Sequence, residues 1–356
     1  MDRFEHGGDV YTHAGALDYS ANLNPLGLPP SVKEAIVAAV DTFDVYPDPQ
    51  CTRLVRSIAR FEQVDEQWVV PCAGATDAIT RFCRASALQR EEGRALVCAP
   101  CYSGYEQALE QAGIPIDRHC LRAEEDFRVT ERILDDMTDE TGLVFLANPN
   151  NPTGLCLNRS LIEAVLERAA RLDALVALDE CFIDLTCEDG LNDLLDRFDN
   201  LVIIKALTKT YALAGLRVGY ALCASEGVRI LLTSLGQMWA VSTPAQVAGV
   251  AALQEDTYVE EGRQLVARER TRLAEALEAR GMHVIPGQSN YLMFRDFACE
   301  SGETDASSLY GELLKHSILI RRCENYQGLD GSWYRIAVRT SHENDQLIAA
   351  LKEVRP

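Results

Sequence analysis

The chain has 356 residues, 47% of them apolar and 25% charged, a balance that excludes a disordered or collagen-like polymer and permits a substantial core. Its 34 Lys and Arg against 54 Asp and Glu leave a formal charge of −20, which repels nucleic acid phosphates and anionic membranes and argues against either as a partner. An anionic substrate remains compatible, because arginines in a closed pocket outweigh distant surface charge that salt screens within roughly 10 Å.

That length predicts one large α/β domain and a smaller one sharing its cleft. The 12 cysteines are scattered through apolar stretches and read as reduced thiols, and no metal site is expected. Residues 1–11 contain no apolar core segment, and no stretch approaches the ~20 apolar residues of a membrane span, so a cytoplasmic enzyme is expected.

In chain order, residues 1–30 are turn-rich, with Gly7-Gly8 and Asn24-Pro25, and predict an arm associated with the small domain. Residues 31–260 form the predicted large domain. Within it, short apolar runs at 95–99, 143–147, 174–178, 201–204 and 218–222 predict strands. Segments 104–112 and 161–171 space apolar residues three and four apart, as covering helices do, giving a doubly wound, mostly parallel sheet. A helical stretch follows Pro244, runs to about Arg280 and closes at Gly281, a spine into the small α+β domain of residues 261–356. There, strands are predicted at 291–297, 318–321 and 334–339, with a helix after the first and another from Asn344.

Several short segments carry candidate chemistry. Tyr46 sits in Val45-Tyr46-Pro47-Asp48, and Gly74-Ala75-Thr76-Asp77 opens a predicted helix whose first N–H groups suit a phosphate. Pro100-Cys101-Tyr102 follows the first run of the large domain. Asn148-Pro149-Asn150-Asn151-Pro152-Thr153-Gly154 follows the second, where ligands of open α/β sheets bind. Asp179 and Glu180 close the next, and Thr208-Lys209 leads through Gly215 to Arg217 between the last two. Near the end, Arg335 and Arg339 alternate on one face of a predicted strand. Taken singly, each has an ordinary explanation: a turn for the Asn-Pro-Gly cluster, a helix cap for Asp179, a solvated loop lysine for Lys209.

Taken together they resemble the fold type I enzymes that use pyridoxal 5′-phosphate, the class I/II aminotransferase superfamily. That resemblance makes Lys209 the amine that joins the cofactor aldehyde, and Asp179 the partner of its pyridinium nitrogen. Asn151 then bonds the phenolic oxygen and Tyr102 stacks on the ring. Gly74, Ala75, Thr76, Thr208 and Arg217 surround the cofactor phosphate, and Tyr46 reaches that of a neighbouring subunit, which implies a homodimer. Ala206 and Ala73 depart from the pattern, standing where the family usually carries a serine and an asparagine.

Within the superfamily the chain is similar, nearly end to end, to the L-threonine-O-3-phosphate decarboxylases of cobalamin biosynthesis. The resemblance rests on His6-Gly7-Gly8 with Tyr19-Ser20-Ala21-Asn22, on Ile320-Arg321-Arg322-Cys323-Glu324-Asn325-Tyr326, and on Phe182, where the aminotransferase relatives usually have tyrosine. It implies His6 and Arg321 on a substrate phosphate, Arg335 on the carboxylate, and Asn22 and Asn151 in the same pocket. The alternatives are a histidinol-phosphate type aminotransferase, which shares the Lys209, Asn151 and Asp179 framework, and a non-catalytic binding protein of this fold. A nucleotide-binding enzyme is disfavoured, since neither G-x-G-x-x-G nor a P-loop follows the first strand.

Overall fold

A computed structural model describes residues 6–298 and 308–356. Its main sheet has seven strands in the spatial order Val69–Cys72, Gly219–Leu222, Leu201–Ala206, Leu175–Asp179, Thr141–Ala147, Arg94–Ala99 and Ile116–Cys120. Gly219–Leu222 runs antiparallel to both neighbours, and the other six are mutually parallel. Thr141–Ala147 and Leu175–Asp179 are buried along their whole length, because helices cover both faces of the sheet. Helix Arg159–Arg171 is one of these, packing Leu161, Ile162, Val165, Leu166 and Ala169 inward.

All five apolar runs of the large domain are strands of this sheet, within two residues of their predicted bounds. The sequence reading missed both edge strands. Val69–Cys72 is four residues long with a proline, and Ile116–Cys120 carries Asp117, Arg118 and His119, so neither shows an uninterrupted apolar run. Edge positions tolerate proline and charge because one side of the strand forms no ladder.

The predicted spine is two helices, Thr243–Ala252 and Tyr258–Glu278. Between them the hydrogen bonds tighten from i−4 at Leu253 to i−3 at Gln254 and Glu255, which ends the first helix. Two separate cores require the break. Ala245, Ala248 and Ala252 pack into the large one, whereas Val266, Leu273 and Leu277 pack into the small one.

The small core lies against a four-stranded antiparallel sheet of Arg321–Arg322, Trp333–Ala337, Tyr291–Arg295 and His283–Val284. The strand expected at 318–321 divides: Ile318–Leu319 pairs with Leu17–Asp18 of the arm, and Arg321–Arg322 joins the sheet. Arg339 lies beyond the last strand, donating to the Asp18 carbonyl at 2.8 Å and pairing with Glu343.

Eleven cysteines are described and all are free, while Cys299 lies outside the described residues. Cys98 and Cys101 stand at C-x-x-C spacing, a pair that the picture of scattered thiols overlooks. Burial pushes both thiols up, Cys98 to about 12, so neither is a nucleophile. No cluster able to hold a metal ion occurs among the described residues, and no helix among them is long and apolar enough to cross a membrane.

Behind the sheet's active edge lies a buried ionic cluster. Lys205 Nζ stands 2.8 Å from Glu62 Oε2 and 3.5 Å from Asp184 Oδ1. Glu62 also accepts from Tyr220 and, at 2.6 Å, from Asn192 Nδ2. Lys205→Met should therefore destabilise the protein by about 3–5 kcal/mol in denaturant unfolding, because it strands buried carboxylates without their cation.

Candidate active site

The loops that leave the C-terminal ends of parallel strands meet at one edge of a sheet. Those following Ala99, Ala147 and Ala206 carry Tyr102, Asn151 and Lys209 to one cavity of about 420 Å³, which Asp179 enters from the last position of its strand. The reversed strand starts at the same edge, where Gly219 is in register with both Ala206 and Cys72. Arg217 and Gly74, each two residues from that line, therefore arrive beside Lys209. A Cβ on Gly219 would stand 2.9 Å from the Lys205 carbonyl oxygen and 3.0 Å from the backbone of Gly74, so only glycine fits.

Gly74 precedes helix Ala75–Gln89 at φ 83° and ψ 172°, a conformation essentially confined to glycine, and gives the helix no side-chain cap. A Cβ there would meet Arg217 Nη2 at 2.7 Å. The first N–H groups of a 15-residue helix and one guanidinium thus form an anion cradle, with Ala75, Thr76 and Thr208 lining the same cavity. The Tyr102 ring lies 5.5 Å from that of His6, tilted by 30°.

The opposite wall comes from the arm and the small sheet. His6 and buried Asn22 line it, and Asn22 Oδ1 has no hydrogen-bond partner among the described residues, leaving an acceptor for a ligand N–H or O–H. Arg321 and Arg335 are directly paired across adjacent antiparallel strands, and both are buried. Arg335 donates to the Ser20 carbonyl at 2.7 Å and to Asn151 Oδ1. Arg321 donates to Asn325 Oδ1 at 2.7 Å. The Tyr326 hydroxyl reaches Asn151 Oδ1 at 3.2 Å, so the Asn151 carbonyl is occupied and its NH2 remains to donate.

This concentration of positive charge acts on its neighbours. Burial first, then Arg335 and Arg217, push the Lys209 amine down to about 8, against opposing effects of Cys181 and Asp179. Burial, Arg321, Arg335 and Lys209 hold the His6 imidazole below its ordinary value. The lysine turn is itself clamped. Asn24 of the arm donates from its backbone to the Lys209 carbonyl at 3.0 Å and from Nδ2 to the Thr210 carbonyl at 2.9 Å. Thr210 Oγ1 donates to Asp184 at 2.9 Å, which ties the turn to the Lys205 cluster.

Of the residues to which the resemblance gives a role at the cofactor or substrate, all but Gly74 and Tyr46 line this cavity, and Gly74 lies directly behind Arg217; Glu180 and Arg339 do not line it. Tyr46 stands outside the cavity, 75% exposed and stacked on Trp239 at 4.3 Å. Sequence reading assigned no role to Tyr105, Gln107 or Tyr326, which also line the cavity. Tyr326 lay inside a quoted signature, and Tyr105 stands three residues after Tyr102 on a helix, but neither position carries a signal of its own.

Residues 14–351 match the family model described as aminotransferase class I and II. The chain belongs to that family. It is 36% identical to the threonine-phosphate decarboxylase of Salmonella typhimurium, over 98% of this chain and 96% of the relative. It superposes on the histidinol-phosphate aminotransferase of Clostridium acetobutylicum with a TM-score of 0.86 at 28% identity, covering 95% of this chain and 99% of the other. The histidinol-phosphate aminotransferase of Sinorhizobium meliloti, solved in complex with pyridoxal 5′-phosphate, gives 0.81 at 26% identity over 94% of this chain and 89% of the other. The protein is thus a pyridoxal 5′-phosphate enzyme, and its cavity fits that group: an amine, an anion cradle that a Cβ at position 74 would fill, an aromatic face and a carboxylate share one space.

The depressed amine gives a direct prediction. At pH 7 about one Lys209 side chain in ten is uncharged, against fewer than roughly one in a thousand for an ordinary lysine. Covalent uptake of the aldehyde cofactor by the apoprotein should rise with pH through a midpoint near 8, followed by visible absorbance. Lys209→Ala should abolish that uptake.

Proposed function

We propose that the protein decarboxylates L-threonine O-3-phosphate to (R)-1-amino-2-propanol O-phosphate, as a step of cobalamin biosynthesis. The observation that carries this reading is the register of Arg321 with Arg335. Like charges directly opposite each other on neighbouring strands repel, and burial adds to the cost. A substrate with both a carboxylate and a phosphate answers two such cations. The 36% identity to a threonine-phosphate decarboxylase supports the same conclusion.

Each side chain then has a task. Arg321 and His6 take the substrate phosphate, Arg335 takes the carboxylate, and Asn22 accepts from the substrate. Lys209 would provide the amine that holds the cofactor. Asp179 would face the ring nitrogen, Asn151 would donate to the phenolic oxygen, Tyr102 would cover the ring, and Gly74, Ala75, Thr76, Thr208 and Arg217 would hold the phosphate. The bound cofactor supplies a sink for the electrons released at Cα. Arg335 would orient the substrate by its carboxylate, and that orientation selects the bond that breaks. After carbon dioxide leaves, Lys209 Nζ delivers a proton to Cα.

Incubation of the holoenzyme with L-threonine phosphate should release carbon dioxide. Arg335→Ala and Arg321→Ala should each lower kcat/KM roughly a hundredfold, the worth of a lost charged hydrogen bond of about 2–3 kcal/mol. An absence of gas release with cofactor bound would reject the reading. The similarity to histidinol-phosphate aminotransferases favours a second reading, amino transfer to a keto acid, which the same incubation with 2-oxoglutarate measures.

We further propose a homodimer in which Tyr46 reaches the neighbouring active site. Val45, Tyr46 and Met238 are each at least 66% exposed, and Trp239, stacked on Tyr46, extends this apolar surface. Sedimentation should give about twice the 39.4 kDa chain mass, and a monomer at micromolar concentration would refute it.

A further inference from the structure

Asp179 is held by a partner that none of the motifs marks. Its Oδ1 accepts from the backbone N–H of Cys181 at 3.0 Å, and its Oδ2 accepts from the Tyr105 hydroxyl at 2.6 Å. Tyr105 is itself fully buried and fixed on two sides. Its ring stacks on Phe145 at 4.7 Å and 11°, and meets Tyr102 edge-on at 5.4 Å and 87°. A Cβ on the intervening Gly104 would stand 2.3 Å from the Tyr102 ring, so the approach of the two tyrosines depends on that glycine.

We propose that Tyr105 is a positioning residue for Asp179, and that its hydroxyl sets how strongly this carboxylate holds the proton on the cofactor ring nitrogen. The proposal rests on the reading that Asp179 faces that nitrogen. A carboxylate has about four acceptor positions, and two donors in fixed places orient the remainder. A hydrogen bond donated to a carboxylate also draws off part of its charge and makes it a weaker base. One buried side chain thus connects two residues assigned to the cofactor: its hydroxyl grips the carboxylate and its ring edge meets Tyr102.

Tyr105 serves as a permanent donor, because burial and the charge of Asp179 hold its phenol well above the usual range. Lys209, Cys181, Tyr102 and Tyr105 each feel the charge of Asp179. Of the two tyrosines, Tyr105 is the one bonded to the carboxylate.

The test uses holoenzyme carrying cofactor labelled with nitrogen-15 in the ring, whose chemical shift reports protonation of that atom directly. Tyr105→Phe keeps the stacked ring and removes only the hydroxyl. The midpoint of the ring-nitrogen titration should rise by roughly one pH unit, since one unit is a tenfold change in proton affinity, and kcat should fall with KM little changed. Site-specific 3-fluorotyrosine at position 105 makes the donor stronger and should move the midpoint down; it retains ring and hydroxyl, so the proposal stays testable if Tyr105→Phe does not fold. Asp179→Asn should shift the signal strongly, and adding Tyr105→Phe to it should change nothing more. If Asp179→Asn shifts the titration while Tyr105→Phe and the fluorinated residue leave it unmoved, Tyr105 is only a packing residue and the proposal is overturned. Should Asp179→Asn itself have no effect, the assignment of Asp179 is what fails.

Discussion

Two buried guanidinium groups paired across adjacent strands, Arg321 and Arg335, constrain much else in this molecule. The protein as a whole is strongly acidic, with a formal charge of −20, yet its cavity gathers Arg217, Arg321, Arg335 and Lys209 around one carboxylate, Asp179. Such a cavity is costly to assemble, and neutral acceptors offset part of the cost. The Ser20 carbonyl and the amide oxygens of Asn151 and Asn325 are such acceptors. Burial first, and then this charge, hold the His6 imidazole below its ordinary value and push the Lys209 amine down to about 8.

The sheet brings these groups together through a single reversed strand. Four parallel strands send their following loops to one edge, and the antiparallel Gly219–Leu222 begins there instead of ending there. Arg217 thereby stands opposite Gly74 although 143 residues of sequence separate them. The lysine turn between these strands is gripped on both sides, by Asn24 of the arm and by Asp184 of the buried cluster. Movement of the arm would be felt at the backbone of Lys209, since one asparagine connects them.

The large sheet was legible because strands covered on both faces carry apolar runs, and five of the seven did. The cavity-lining residues Tyr102, Asn151, Asp179 and Lys209 were legible because their short motifs lie at or immediately after the ends of those strands. Edge strands, half polar and short, gave no such signal. Nor did the break in the spine, since a helical pattern continues through residues 253–257 and only the existence of two cores divides it. Arg339 shares the alternation of Arg335 but lies past the end of the strand, where the arm and Glu343 hold it.

Tyr105 shows the limit most clearly. It occupies an ordinary position on an amphipathic helix, and only the fold brings its hydroxyl to Asp179, 74 residues away. Local order along the chain was enough to determine the sheet, the lysine turn and the cofactor chemistry, because each depends on neighbours in sequence. The pairing of Arg321 with Arg335, the grip of Asn24 on the lysine turn and the partner of Asp179 were decided by tertiary structure, because each depends on strand register and packing between segments that the sequence leaves far apart.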